Sequence, residues 1–273
     1  MRQATRIFIF FLLTLGILQA NEITFGVYTS DKASVMYKKF KPILNYLEQD
    51  AKRQGVDINI KLKIYPSYKT ALEGIVKGEY DFARFGPASY ILASEQNPNI
   101  KLLAMEHKKG KKIFNGAFIT KENSSIKSLK DLDGKSFAFG NAQSTIGRYL
   151  AQAELLDAGL NHKSFTKYDY LGRHDKVALS VANGDYDAGV VKESTLKKYK
   201  DRGLKVIATF QNVTKPWIVR ADFDSKTFNI LQNSLLSLKD KNVLKVVKKS
   251  GFLKATPEDY AIIKKGMDKS KKF

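Results

Sequence analysis

The chain has 273 residues, 43% hydrophobic and 27% charged, so it is long and apolar enough to bury one or two cores and is not a disordered segment. It has no cysteine and three histidines, His107, His162 and His174, none in an H-E-x-x-H pattern, which excludes disulfides and thiolate chemistry and argues against a histidine-rich metal site. The 47 Lys and Arg against 27 Asp and Glu leave a formal charge of +20. That balance fits either a nucleic-acid partner or a generally basic surface around a small anionic ligand. The lysines form doublets spread along the whole chain without a long basic block, so a solvated basic face is expected and nucleic acid is not.

Residues 1–20, MRQATRIFIFFLLTLGILQA, join Arg2 and Arg6 to an apolar run from Ile7 to Leu18 and a small residue at Ala20. These are the parts of a secretory signal peptide, cleaved near Ala20; an uncleaved anchor shares the same ingredients, although the run is short for a membrane span. Export makes a cytosolic ATP- or NAD-dependent enzyme a poor reading.

Beyond that leader, short apolar runs alternate with helical periodicity. A strand is expected at Ile23–Tyr28, then an amphipathic helix over Ser34–Arg53, with Val35, Phe40, Ile43, Leu44 and Leu47 at helical spacing. Strands follow at Ile58–Ile64, Asp81–Phe85 and Ile100–Glu106, separated by a helix over Tyr68–Lys77 and another opened by Gly86-Pro87. The pattern restarts with strands at Phe114–Thr120, Ser136–Gly140, Thr166–Tyr170, Asp187–Val191 and Lys205–Thr209. Between them lie helices at Ser144–Ala158, Arg173–Asn183 and Glu193–Lys200. Three helices, Ser225–Leu238, Asn242–Lys248 and Pro257–Met267, precede a tail, Lys269–Phe273, expected to fray. This alternation predicts an α/β fold with largely parallel sheets in two tandem units. No Pro- or Gly-rich linker divides them, so the chain is expected to cross between lobes near Gly116–Thr120 and near Thr209–Arg220. Lobe one is then 21–118 plus 212–273 and lobe two 119–211.

Enzyme templates fail: there is no G-x-G-x-x-G, no G-x-x-x-x-G-K-[ST] and no G-x-S-x-G, and no carboxylate pair is spaced for acid–base work. No enzyme, cofactor or metal is expected. In Phe137-Ala-Phe-Gly140-Asn-Ala-Gln-Ser144-Thr145-Ile146-Gly147 a buried strand leads into a helix that opens on two hydroxyls. Helix N-termini offer unbonded N–H groups and partial positive charge, a setting for a phosphate-like oxyanion, although Ser and Thr also cap helices for local reasons. Gly86-Pro87-Ala88-Ser89-Tyr90 likewise follows a strand and opens a helix: either half of a composite anion site or an ordinary turn. His174, in Gly172-Arg173-His174-Asp175, stands at another helix start as a donor to an anion or a simple cap. Tyr68 offers a hydroxyl or packs half-buried.

Three stretches carry a resemblance: Asp81-Phe-Ala-Arg-Phe-Gly-Pro-Ala-Ser-Tyr90; Ile126-Lys-Ser-Leu-Lys-Asp-Leu-Asp-Gly-Lys135 leading to Ser144-Thr145; and His174-Asp-Lys-Val-Ala-Leu-Ser-Val-Ala-Asn-Gly-Asp-Tyr-Asp-Ala188. In order and spacing, over about residues 22–250, the chain resembles the periplasmic phosphate/phosphite/phosphonate-binding proteins of ABC transporters, the phosphonate-binding branch of the type II periplasmic binding proteins. The resemblance implies two α/β lobes with a ligand cleft between them. It implies that Ser144, Thr145 and the backbone N–H of Ile146 hold the oxyanion, with His174, Tyr68 and the helix start Gly86, Pro87 and Ser89. Members that bind an aminophosphonate place acidic residues at its ammonium. One such position falls on Glu193; the other falls on Lys215, a departure that points to a ligand without an ammonium group.

The resulting expectation is a monomeric periplasmic protein that captures a small phosphorus oxyanion and hands it to an ABC-transporter permease in the inner membrane. A sensor subunit for a membrane kinase or chemoreceptor would share the same features, and a basic nucleic-acid- or surface-binding protein is the third reading.

Overall fold

The computed structural model describes residues 20–29 and 33–273. The expected signal peptide lies outside the described residues apart from Ala20. Among the described residues no helix is long and apolar enough to cross a membrane.

The first sheet begins with β1 (Asn21–Tyr28), α1 (Ala33–Arg53), β2 (Ile58–Tyr65), α2 (Tyr68–Val76), β3 (Phe82–Arg84), α3 (Pro87–Gln96) and β4 (Lys101–His107). Strand β1 pairs in parallel with β2, from Asn21 opposite Ile58 to Tyr28 opposite Tyr65, and in parallel with β3. Helix α1 forms because Met36, Phe40, Ile43, Leu44, Leu47 and Ala51 fall on one stripe, and all six are buried. The Ser67 hydroxyl caps α2 by accepting from Thr70 N–H at 3.1 Å.

The second sheet is built from β5 (Ile113–Lys121), β6 (Lys135–Phe139), β7 (Phe165–Tyr170), β8 (Ala188–Lys192) and β9 (Leu204–Val213). Its helices are a π-turned segment, Thr145–Leu150, running into α4 (Ala151–Asp157), then α5 (His174–Asn183) and α6 (Glu193–Lys198). The chain then returns through β10 (Pro216–Val219), α7 (Ser225–Ser237), α8 (Lys241–Val247), β11 (Gly251–Leu253) and α9 (Ala261–Ser270).

The strand orders are β11-β4-β10-β3-β1-β2 and β7-β6-β8-β5-β9. Both sheets are mixed, not largely parallel. Strand β10 runs antiparallel to β3 and β4, and β5 antiparallel to β8 and β9. Parallel pairing needs a long crossover, usually a helix, whereas β10 enters two residues after β9 ends in the other sheet.

The passages between sheets differ from the first expectation. Strand β5 pairs with β9 from Ile113 to Lys121, so Gly116–Thr120 lies inside the second sheet and the outward passage lies between His107 and Ile113. Gly116 marks a close approach instead: a Cβ there would sit 2.3 Å from Cζ of Phe210. The return passage, Val213 to Pro216, falls inside the expected Thr209–Arg220. The two passages are bonded to the structure on both sides: Thr214 N–H donates to the Lys112 carbonyl at 2.8 Å, and Glu106 N–H to the Lys215 carbonyl at 3.1 Å.

The tail is ordered, not frayed. Phe273 packs against Phe139 and Phe165 of the second sheet, and its carbonyl accepts from His162 N–H at 3.3 Å. Residues 260–273 therefore do not sit on the first lobe alone: Tyr260 meets Tyr90 of α3 edge-on, while Phe273 reaches β6 and β7. Under the first sheet the core gathers around Trp217, fully buried and stacked on Phe25 with centroids 4.7 Å apart.

Candidate functional site

Where the C-terminal ends of β1 and β3 face those of β6 and β8, a cavity opens between the sheets. One wall is Tyr28, Tyr68, Gly86 and Pro87; the second is Ser144, Thr145, Ile146 and His174; Phe114, Lys192, Asn212 and Lys215 close it beside the passages. The cavity is small, about 20 Å³, so it suits a compact occupant.

Gly86 is the N-cap of α3 and carries no capping side chain, with Pro87 in the first turn. The exposed donors of that turn are taken by side chains: Gly86 N–H donates to the Tyr28 hydroxyl at 2.5 Å, and Ala88 N–H to Oγ1 of Thr145 at 3.0 Å. Ser89 donates to the same Tyr28 hydroxyl at 3.3 Å. Tyr28 stacks on Tyr68 at 3.7 Å between centroids. Burial pushes the Tyr28 phenol up, against the opposing pull of these hydrogen bonds and of Arg84, so it stays neutral at physiological pH.

Across the cavity Ser144 caps the next helix, its Oγ accepting from Gly147 N–H at 3.0 Å. The first-turn N–H groups of Thr145 and Ile146 have no carbonyl one turn back to receive them. The loop reaches this geometry because Gly140 and Gly147 touch backbone to backbone: a Cβ on Gly140 would lie 2.9 Å from the Gly147 Cα and 3.6 Å from Cε1 of His174. His174 opens α5 and is 7% exposed.

Beneath the cavity lies a buried carboxylate. Glu106 accepts from Arg84 at 2.6 and 3.0 Å and pairs with Lys249 at 3.1 Å. Burial opposes its ionisation, but the charges of Arg84 and Lys249 outweigh that and hold it well below the usual carboxylate range. Lys39 and Lys215 meet the opposite balance. Burial and then the charge of Arg84 push Lys39 down to about 7, and burial followed by Arg84, Lys192 and Lys39 lowers Lys215 well below an ordinary lysine.

The structure thus brings Tyr68, Gly86, Pro87, Ser144, Thr145, Ile146 and His174 to one cavity. Ser89 and Glu193 are not among the residues brought to it. Ser89 does not line the cavity; it is 3% exposed and supports Tyr28 from behind. Glu193 opens α6 on a different hollow, with Lys108, Asn115 and Lys249, and its carboxylate takes Lys197 at 2.5 Å. Its neighbour Lys192, the last residue of β8, lines the cavity instead. Sequence reasoning missed Tyr28, Phe114, Lys192 and Asn212. A signal existed for Tyr28 and Lys192, since ligands gather beyond the carboxyl ends of strands in α/β sheets. Lys215, noted for its charge, does face the cavity.

Residues 25–260 match the family model described as ABC transporter, phosphonate, periplasmic substrate-binding protein. A Prochlorococcus marinus (strain MIT 9301) protein named probable ABC transporter phosphite binding protein PhnD1 is 26% identical over 259 residues, covering 86% of this chain and 85% of its own. The phosphate-import protein PhnD of Mycolicibacterium smegmatis is 28% identical over 189 residues, 64% of this chain and 56% of that protein. The solved structure of the Prochlorococcus PhnD1 in complex with methylphosphonate superposes with a TM-score of 0.81 at 25% identity, covering 93% of this chain and 99% of that one. On the family match and the shared two-lobed fold, this chain belongs to the periplasmic phosphonate-binding family of ABC-transporter substrate-binding proteins.

Proposed function

We propose that the protein captures a compact phosphorus oxyanion, of the phosphate, phosphite or phosphonate type, in the cavity between its sheets. The observation that carries this is the meeting of two helix starts from opposite sheets, α3 and the helix opening at Thr145, on one small cavity. Hydroxyls of Ser144, Thr145 and Tyr68, the Ile146 N–H and the His174 ring supply directional donors. Peptide dipoles at both helix starts add partial positive charge without side-chain rearrangement.

Capture would draw the lobes together about the two short passages beside Lys112 and Thr214. The finer parts of this reading are a leader cleaved near Ala20, a monomer in the periplasm, an inner-membrane permease as the partner, and no covalent chemistry. Thermal unfolding of the protein with phosphate, phosphite, hypophosphite and methylphosphonate tests it. A ligand at 100 times its dissociation constant should add about 2.7 kcal/mol of stability. No shift with any of them overturns the reading.

A further inference from the structure

We propose that Lys215, supported by Lys192, is the specificity-determining residue of this cavity, selecting a compact oxyanion with two negative charges and rejecting ligands with an ammonium group. This rests on the oxyanion-capture reading above and goes beyond it.

Among the described residues two lysines line the cavity, and no carboxylate does. Below it the buried carboxylate of Glu106 is already engaged by Arg84 and Lys249. Burial acts first against the charge of Lys215, and the charges of Arg84, Lys192 and Lys39 then act against it, with Glu106 in its favour. An anion in the cavity relieves that repulsion, and a doubly charged one relieves it more. An ammonium group would join it.

Lys215 cannot easily leave. It lies between β9 and β10, its carbonyl takes Glu106 N–H at 3.1 Å, and the next residue's carbonyl takes Phe85 N–H at 3.1 Å. The small free space puts the second charge on the phosphoryl group itself, not on a long substituent.

Calorimetric titration of the protein with matched ligands separates charge from shape. Phosphite and hypophosphite form one pair at a pH where the first is doubly and the second singly charged. Methylphosphonate and methanesulfonate form a second pair of like shape, and 2-aminoethylphosphonate is the ammonium-bearing member. The expected result is at least tenfold tighter binding of the doubly charged partner in each pair, and at least tenfold weaker binding of 2-aminoethylphosphonate than of methylphosphonate. Lys215→Met, checked for folding by its unfolding midpoint, should shrink both ratios severalfold; Lys215→Glu should turn the second in favour of the aminophosphonate. Lys192→Met should act in the same direction and serves if the Lys215 variants do not fold. Equal affinities within the pairs, aminophosphonate binding as tight as methylphosphonate, or ratios unchanged by substitution overturn the assignment while leaving capture standing. Failure of every ligand to bind overturns the capture reading and the assignment with it.

Discussion

The backbone N–H of Ala88 donates to Oγ1 of Thr145 at 3.0 Å, and the two residues open helices that belong to different sheets. This hydrogen bond ties the lobes across the cavity. Thr145 therefore both lines the cavity and latches the lobes, and replacing it should act on affinity and on closure together.

Replacing Ser144 and Thr145 by alanine should leave the fold intact and weaken oxyanion binding at least tenfold. Each lost hydrogen bond costs about 0.5–1.5 kcal/mol, and more when the acceptor is charged. Losing the Ser144 cap costs about 1 kcal/mol of stability besides. Calorimetry and thermal unfolding on the same sample separate the two effects, and unchanged affinity would remove both residues from the site.

Glu106→Gln should destabilise the protein by roughly 3–5 kcal/mol, because it leaves Arg84 and Lys249 buried beside a neutral group. The sign with pH follows from the depressed carboxyl. The folded protein holds this proton less tightly than the unfolded chain, so the stabilisation is present above the ordinary carboxylate pKa and is lost as pH falls below it toward the folded value. Urea unfolding across the acid range should show a shallower loss of stability in the variant than in the parent.

Lys39 behaves in the opposite sense. Its folded pKa near 7 lies below the ordinary lysine value of 10.5, so the unfolded chain binds more protons between those two values. Stability should rise as pH increases through that window, and Lys39→Met should flatten the rise. An anion in the cavity raises the pKa again, so ligand binding slightly above neutral pH should take up protons. Titrations in buffers of different ionisation enthalpy read that uptake, and a buffer-independent heat would contradict it.

Phe273→Ala should lower stability by about 1–3 kcal/mol, read in denaturant, since its ring packs on Phe139, Phe165 and Tyr168. A truly frayed tail would show no change.

Local chemistry already determined much of this protein in its sequence. The stripe of α1, the Ser67 and Ser144 caps, the helix start at Gly86-Pro87 and the strand–helix alternation are set by residues within one or two turns of each other. For that reason Ser144, Thr145 and His174 could be read as donors at helix starts. Tertiary structure decided the rest. Tyr28, Lys192, Asn212 and Lys215 meet in one cavity although nearly two hundred residues separate the first from the last, and no local pattern records that meeting. Lys192 and Glu193 show why proximity in sequence is not enough. They are adjacent, but β8 ends at one and α6 begins at the other, so the lysine faces the cavity and the glutamate turns away to Lys197. Gly116 carries the same lesson: its bare backbone looks like a hinge in sequence and proves to be the space under the Phe210 ring, because what demands glycine there is a side chain ninety-four positions away.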